Sequence, residues 1–133
     1  MKLQINKETK IKDIQKKFSD AYPFLKIEFY KKPHGENELS SMKDKISPDE
    51  LISENKNFIK AASLDINKHS TVAELEKEFY ERFGIAMQVS RRAGNIWIET
   101  SLTDSRTLGV QNKQGKSAST VNANVSIDED YER

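Results

Sequence analysis

Cysteine is absent from all 133 residues. That excludes disulfides, thiolate nucleophiles and zinc–thiolate centres together, and it suits a reducing compartment. Glycine occurs five times and proline three. So few glycines form no loop of the kind that cradles phosphate on backbone N–H groups. No apolar run nears the roughly 20 residues that a membrane-spanning helix needs, and the opening MKLQINKETK has no apolar stretch of the signal-peptide type. A cytoplasmic protein with no membrane partner is the expectation. A dominant charge is missing too: 22 basic side chains face 21 acidic ones, for a net charge of +1. The chain as a whole exerts no pull on nucleic acid or on an anionic membrane.

Catalytic and metal-ligating residues are equally scarce. The two histidines, His34 in KPHGE and His69 in NKHST, have no second His or patterned carboxylate at ligand spacing and read as loop residues. A catalytic serine needs a base and an orienting group. The serines here are scattered through polar loops, and no G-x-S-x-G occurs. The DED at 128–130 lacks the spaced ligands and glycine of a calcium loop and reads as an acidic tail. Glu74, Glu76 and Glu78 alternate along a helical pattern, so neighbours in the series lie about 200° apart and do not converge. All three read as surface. The expectation is a non-enzyme with no metal, no cofactor and no small-molecule substrate. Enzymatic chemistry would require carboxylates gathered only by folding, such as Glu28, Glu38 and Glu99.

What the sequence does contain is an internal echo. Displaced by 61 positions, Leu3 and Ile5 fall on Leu64 and Ile66; Ile11, Ile14 and Phe18 fall on Val72, Leu75 and Phe79; and Tyr22 falls on Phe83. Spacings of three and four place these residues on one helix face. The following strand needs a displacement of 60, which sets Leu25, Ile27 and Phe29 on Ile85, Met87 and Val89. The helix ends differ in chemistry but not in effect. Gly84 suits a left-handed cap, and Pro23 stops a helix by steric means.

The pattern predicts a strand over 2–6, a helix over 10–22 capped by Thr9, a strand over 25–31, a turn at KKPHGEN, a weaker strand over 38–42 and a short helix from Ser47 and Pro48. A strand over 58–66 leads into the second copy. There Ser70 or Thr71 caps a helix, Thr71 and Glu74 fit a capping box, and a hairpin joins 85–91 to 96–100 through RAGN. TDSRTLGV takes the place of ISPDELI, with Leu108 on Leu51. The polar QNKQGKSAST reads as linker, and the alternation of Val121, Ala123, Val125 and Ile127 reads as an edge strand. The fold class is therefore α+β. It comprises two tandem β-α-β-β repeats, each with a short helical turn and a helix packed on one face of a small, mostly antiparallel sheet. Unit 1 spans residues 1–60, unit 2 spans 61–111, and 112–133 form a linker with a terminal strand or disordered tail. Neither unit has the apolar residues for a core of its own, so the two should share one.

Val72, Leu75, Phe79, Phe83, Gly84, Met87, Val89, Gly94, Thr107 and Leu108 together make a strand, a V..L...F...FG helix, a strand, a Gly turn and a later TL. This pattern resembles a group of small bacterial proteins built from two such units in tandem. The resemblance covers most of residues 1–110. The first unit departs from it, with no glycine after its helix and DEL in place of TL. It implies a fold; the group has no assigned activity, so it supplies no functional residues.

Surface pattern supplies the remaining candidates. Residues 1–62 carry 13 lysines against 10 acids, and residues 63–133 carry 9 basic against 11 acidic groups. The first helix displays Lys12 and Lys16, the second Glu74 and Glu78, a charge reversal that suits contact between molecules or between units as well as plain solvation. The hairpin carries Arg91, Arg92 and the sole tryptophan, Trp97. If Ile96 and Ile98 face the core, Trp97 points outward by strand alternation and forms a binding hot spot with the arginines. In the opposite orientation the ring is buried and the isoleucines border solvent. The function expected is a protein-interaction or self-assembly module. The alternative is a nucleic-acid-binding accessory protein using the basic first helix and the Arg91/Arg92/Trp97 hairpin. Phe18→Ala and Phe79→Ala should each cost about 3–5 kcal/mol in urea unfolding; a large loss in only one of them would mean that the two copies are not equivalent.

Overall fold

The computed structural model describes residues 1–33 and 42–128. Its strands are β1 (Lys2–Ile5), β2 (Leu25–Tyr30), β3 (Ala62–Asp65), β4 (Ala86–Ala93) and β5 (Ile96–Glu99). The helices are α1 (Ile11–Ala21), α2 (Val72–Phe83) and α3 (Leu108–Asp128). Among the described residues the strands form two small antiparallel sheets, β1-β3 and β2-β4-β5. The pairings join the two halves of the chain. Leu3 sits opposite Leu64, and Glu28 opposite Gln88. The expected β4–β5 hairpin forms within the second half, but β1 and β2 find their partners in the other half rather than in sheets of their own.

Helices pack on these sheets. α1 lies on β1 and β2, α2 on β3 and β4, and α3 on β4 and β2. The apolar faces anticipated on α1 and α2 are buried: Ile11, Ile14 and Phe18 on one, Val72, Leu75, Phe79 and Phe83 on the other. They meet Leu25, Ile27, Phe29, Met87 and Val89 in one cluster. Phe79 contacts Phe29 and Phe83 at ring-centroid distances of 5.1 and 4.7 Å. Each such side chain contributes about 1.5–3 kcal/mol by leaving water.

Both helix starts depend on a distant loop. The N–H groups of Ile11 and Lys12 donate to the carbonyls of Glu50 and Pro48, and those of Val72 and Ala73 donate to Arg106 and Asp104. First-turn N–H groups have no partner inside a helix, so these bonds complete them. They also explain why no helix begins at Ser47. The carbonyls there face α1, leaving a turn and a 3-10 segment at Ile52–Glu54. Thr9 is not the cap of α1, since its hydroxyl accepts from Asn6 N–H and Lys10 holds the cap position without a side-chain bond. Thr71 and Glu74 do form the capping box, and Gly84 closes α2 at φ 76°. Ile52 N–H donates to the Thr9 carbonyl and Leu108 N–H to the Ser70 carbonyl.

Two further expectations change. The strand expected over 58–66 shortens to β3, and the stretch from 112 is helical where linker and edge strand were expected. α3 escapes a hydropathy reading because its packed face is made of Leu108, Gln111 and Gly115, all buried but only one of them apolar. Gly115 admits Phe24 so closely that an added Cβ would stand 2.9 Å from the Phe24 Cβ. The weaker strand expected over 38–42 lies outside the described residues except for Met42, which begins a 3-10 turn. Gly115→Val should cost about 1–3 kcal/mol by overpacking. Amide exchange should accelerate over 108–119 while α2 keeps its protection.

Candidate interaction surface

The β4–β5 hairpin turns at Gly94 and Asn95, with Gly94 at φ 64°. Arg91 and Arg92 are neighbours in β4 and therefore project to opposite faces. Arg91 runs under α3, where its Nη1 donates to Gln111 Oε1 at 3.1 Å and Gln114 Oε1 at 3.0 Å. Arg92 turns the other way: its Nε donates to the Gly94 carbonyl, and its guanidinium lies 5.7 Å from the Trp97 ring centre. Lys26 of β2 approaches the same ring at 5.1 Å. Trp97 is partly buried between these cations. The Arg91/Arg92/Trp97 cluster expected of the hairpin is thus divided between two faces. The outward residues are the isoleucines, with Ile96 61% and Ile98 36% exposed.

The helical candidates have local partners. Lys12 pairs with Asp49 at 3.4 Å and Lys16 with Asp20 at 2.8 Å. Glu74 accepts the Thr71 N–H in the capping box, and Glu78 pairs with Arg82 at 3.1 Å. Exposed pairs of this kind add little stability, but they partly neutralise the basic and acidic stripes expected to oppose each other between molecules. His69 is exposed beside Asn67, whereas His34, Glu38 and the end of the acidic tail lie outside the described residues.

Glu76, expected on the surface, is not exposed. It is partly buried, and its Oε2 accepts the Val89 N–H at 3.0 Å where β5 has left β4. Desolvation pushes its pKa from 4.5 up to about 8, against the lowering effect of the Val89 bond; the like charges of Asp104 and Glu99 push the same way as burial. A cleft of about 230 Å³ beside it is lined by Lys77, Tyr80, Met87 and Asp104 among others. The equivalent position in the first helix is Gln15, whose Nε2 donates to the Ile27 carbonyl at 2.9 Å. A polar side chain thus completes the backbone bonding of a strand edge in both halves, a need that periodicity does not reveal. Among the described residues, no group of three or more His, Cys, Asp or Glu could hold a metal ion, and no helix is long and apolar enough to cross a membrane. Comparison with known protein families, curated proteins and solved structures found no match.

Glu76 binds its proton more tightly folded than unfolded, so folding takes up a proton between pH 4.5 and about 8. Stability should therefore fall as pH rises through that window. Urea midpoints measured at pH 5 and pH 8 should show the loss in the wild type and a much flatter profile in Glu76→Gln.

Proposed function

We propose that the chain is a tandem duplication of a β-α-β-β unit that works as a non-enzymatic protein-interaction or self-assembly module, with the isoleucine face of the β4–β5 hairpin as its contact surface. Three pairs of long-range backbone bonds support the duplication: Ile11 to Glu50 and Val72 to Arg106, Lys12 to Pro48 and Ala73 to Asp104, Ile52 to Thr9 and Leu108 to Ser70. Equivalent residues also pair with each other, Leu3 with Leu64 and Glu28 with Gln88, as they would across an internal two-fold axis.

The observation that carries the functional reading is the exposure of Ile96 and Ile98 side by side on β5, which ends the described β2-β4-β5 sheet. Adjacent exposed branched aliphatics on a short edge strand suit contact with another chain. Trp97 lies on the opposite face of the strand with Arg92, and Arg91, which pairs with Ile98, is held by Gln111 and Gln114 of α3. The nucleic-acid alternative has less support, because Lys12, Lys16, Arg91 and Arg92 are each engaged by a carboxylate, an amide oxygen or the indole ring.

Sedimentation of the wild type should show concentration-dependent association. Ile96→Asp combined with Ile98→Asp should abolish it without lowering the melting temperature, since neither side chain belongs to the core. A wild type that stays monomeric at every concentration would remove the self-assembly branch.

A further inference from the structure

A second surface lies where the duplication has no counterpart. α3 follows the second unit only, and its first turns meet the end of α1 to form a groove of about 520 Å³. The floor is aliphatic, with Ala21, Gly109 and Val110 beside the buried Tyr22. The rim holds Lys68, His69, Lys113 and Lys116, all exposed. A shallower stretch of about 370 Å³ shares Ala21, Tyr22 and Lys68 with it, so the depression runs on past the end of α1 toward Ile66. Among the described residues no carboxylate lines either stretch. In a chain with 21 acidic residues, whose helical lysines Lys12 and Lys16 each sit beside an aspartate, that local imbalance is unusual.

The N–H groups at the start of α3 do not supply this site. Leu108 and Gly109 donate to the Ser70 and Lys68 carbonyls, and Val110 and Gln111 donate to Thr107. Recognition therefore falls to side chains. Asn112 takes part as well: its Oδ1 accepts the Phe24 N–H at 2.8 Å, which orients the amide and leaves its Nδ2 as a donor in the groove wall.

We propose that this groove docks an acidic peptide segment of a partner protein, with carboxylates on Lys68, Lys113 and Lys116 and an aliphatic side chain on the Val110 floor. Charge complementarity and the elongated apolar floor select this occupant. A nucleic acid strand would need a series of exposed aromatic rings on which to stack its bases, and the described lining offers the His69 imidazole alone, since Tyr22 is only 8% exposed. The proposal rests on the reading of the chain as a protein-interaction module but uses a surface separate from the hairpin.

The test titrates the full chain at low ionic strength with a short glutamate-rich peptide carrying a central leucine, with its glutamine-for-glutamate twin, and with oligothymidylate. The glutamate peptide should shift the amides of Lys68, Gly109 and Lys113, and its glutamine twin should bind about tenfold or more weakly. Lys113→Glu with Lys116→Glu should weaken the glutamate peptide by about the same factor while circular dichroism stays unchanged. Ile96→Asp with Ile98→Asp should bind it as the wild type does. Failure to bind the glutamate peptide, equal binding of the two peptides, or undiminished binding by the lysine variant overturns the groove proposal and leaves the hairpin reading to its own sedimentation test. Preferential binding of oligothymidylate at these lysines overturns both.

Discussion

The antiparallel pairing of β1 with β3 and of β2 with β4 ties each half of the chain to the other, so neither half can complete a sheet alone. Everything else follows from that dependence. α1 and α2 each lie across strands from both sheets or both halves of the core, and their phenylalanines share one apolar cluster. Pairing of this kind closes long loops before it yields contacts, so its cost is entropic and its stabilisation arrives only with the whole core in place. A chain of this length has apolar residues for one core, and crossing the halves is how it avoids needing two.

The same crossing settles what the connecting segments do. Pro48 and Glu50 cap the first turn of α1, and Asp104 and Arg106 that of α2, through their backbone carbonyls. After the first of these caps the chain must lead into β3, and Phe58 stacks at 6.4 Å on Phe83 along the way. After the second there is no further strand to build, and the chain runs on as α3. α3 and the end of α1 together border the basic groove.

Electrostatics divide along similar lines. Several charged side chains on α1 and α2 have neighbours of opposite sign, as Lys16 has Asp20 and Glu78 has Arg82. Glu76 differs because it completes a strand edge from inside, where losing water disfavours its charge. Gln15 does the equivalent work without a charge. Among the described residues, the lysines around Gly109 and Val110 have no carboxylate in the groove lining they share.

Apolar periodicity was sufficient to locate α1, α2, β1, β2, β4 and β5, because positions such as Phe18, Phe79 and Val89 are buried by one-sided faces that repeat every two or 3.6 residues. The capping box at Thr71 and Glu74 and the left-handed end at Gly84 were legible for a local reason: their partners lie within a few residues. Three things were not. α3 packs through a glutamine and a glycine, and no hydropathy pattern marks a face whose value lies in closeness and hydrogen bonds. Register decided the hairpin: Ile98 shares a face with Arg91 and Leu25 but lies beyond the core and is exposed with Ile96, while Trp97 sits on the other face with Lys26 and Arg92, an outcome that alternation alone leaves open. Glu76 is internal because β5 departs from β4 at that point and leaves an amide to be satisfied. The sequence by itself determined which residues must leave water and where helices begin and end by local chemistry. Only the tertiary structure decided which strands pair, which face of the hairpin is free, and where unpaired charge gathers, since each depends on groups far apart in the chain.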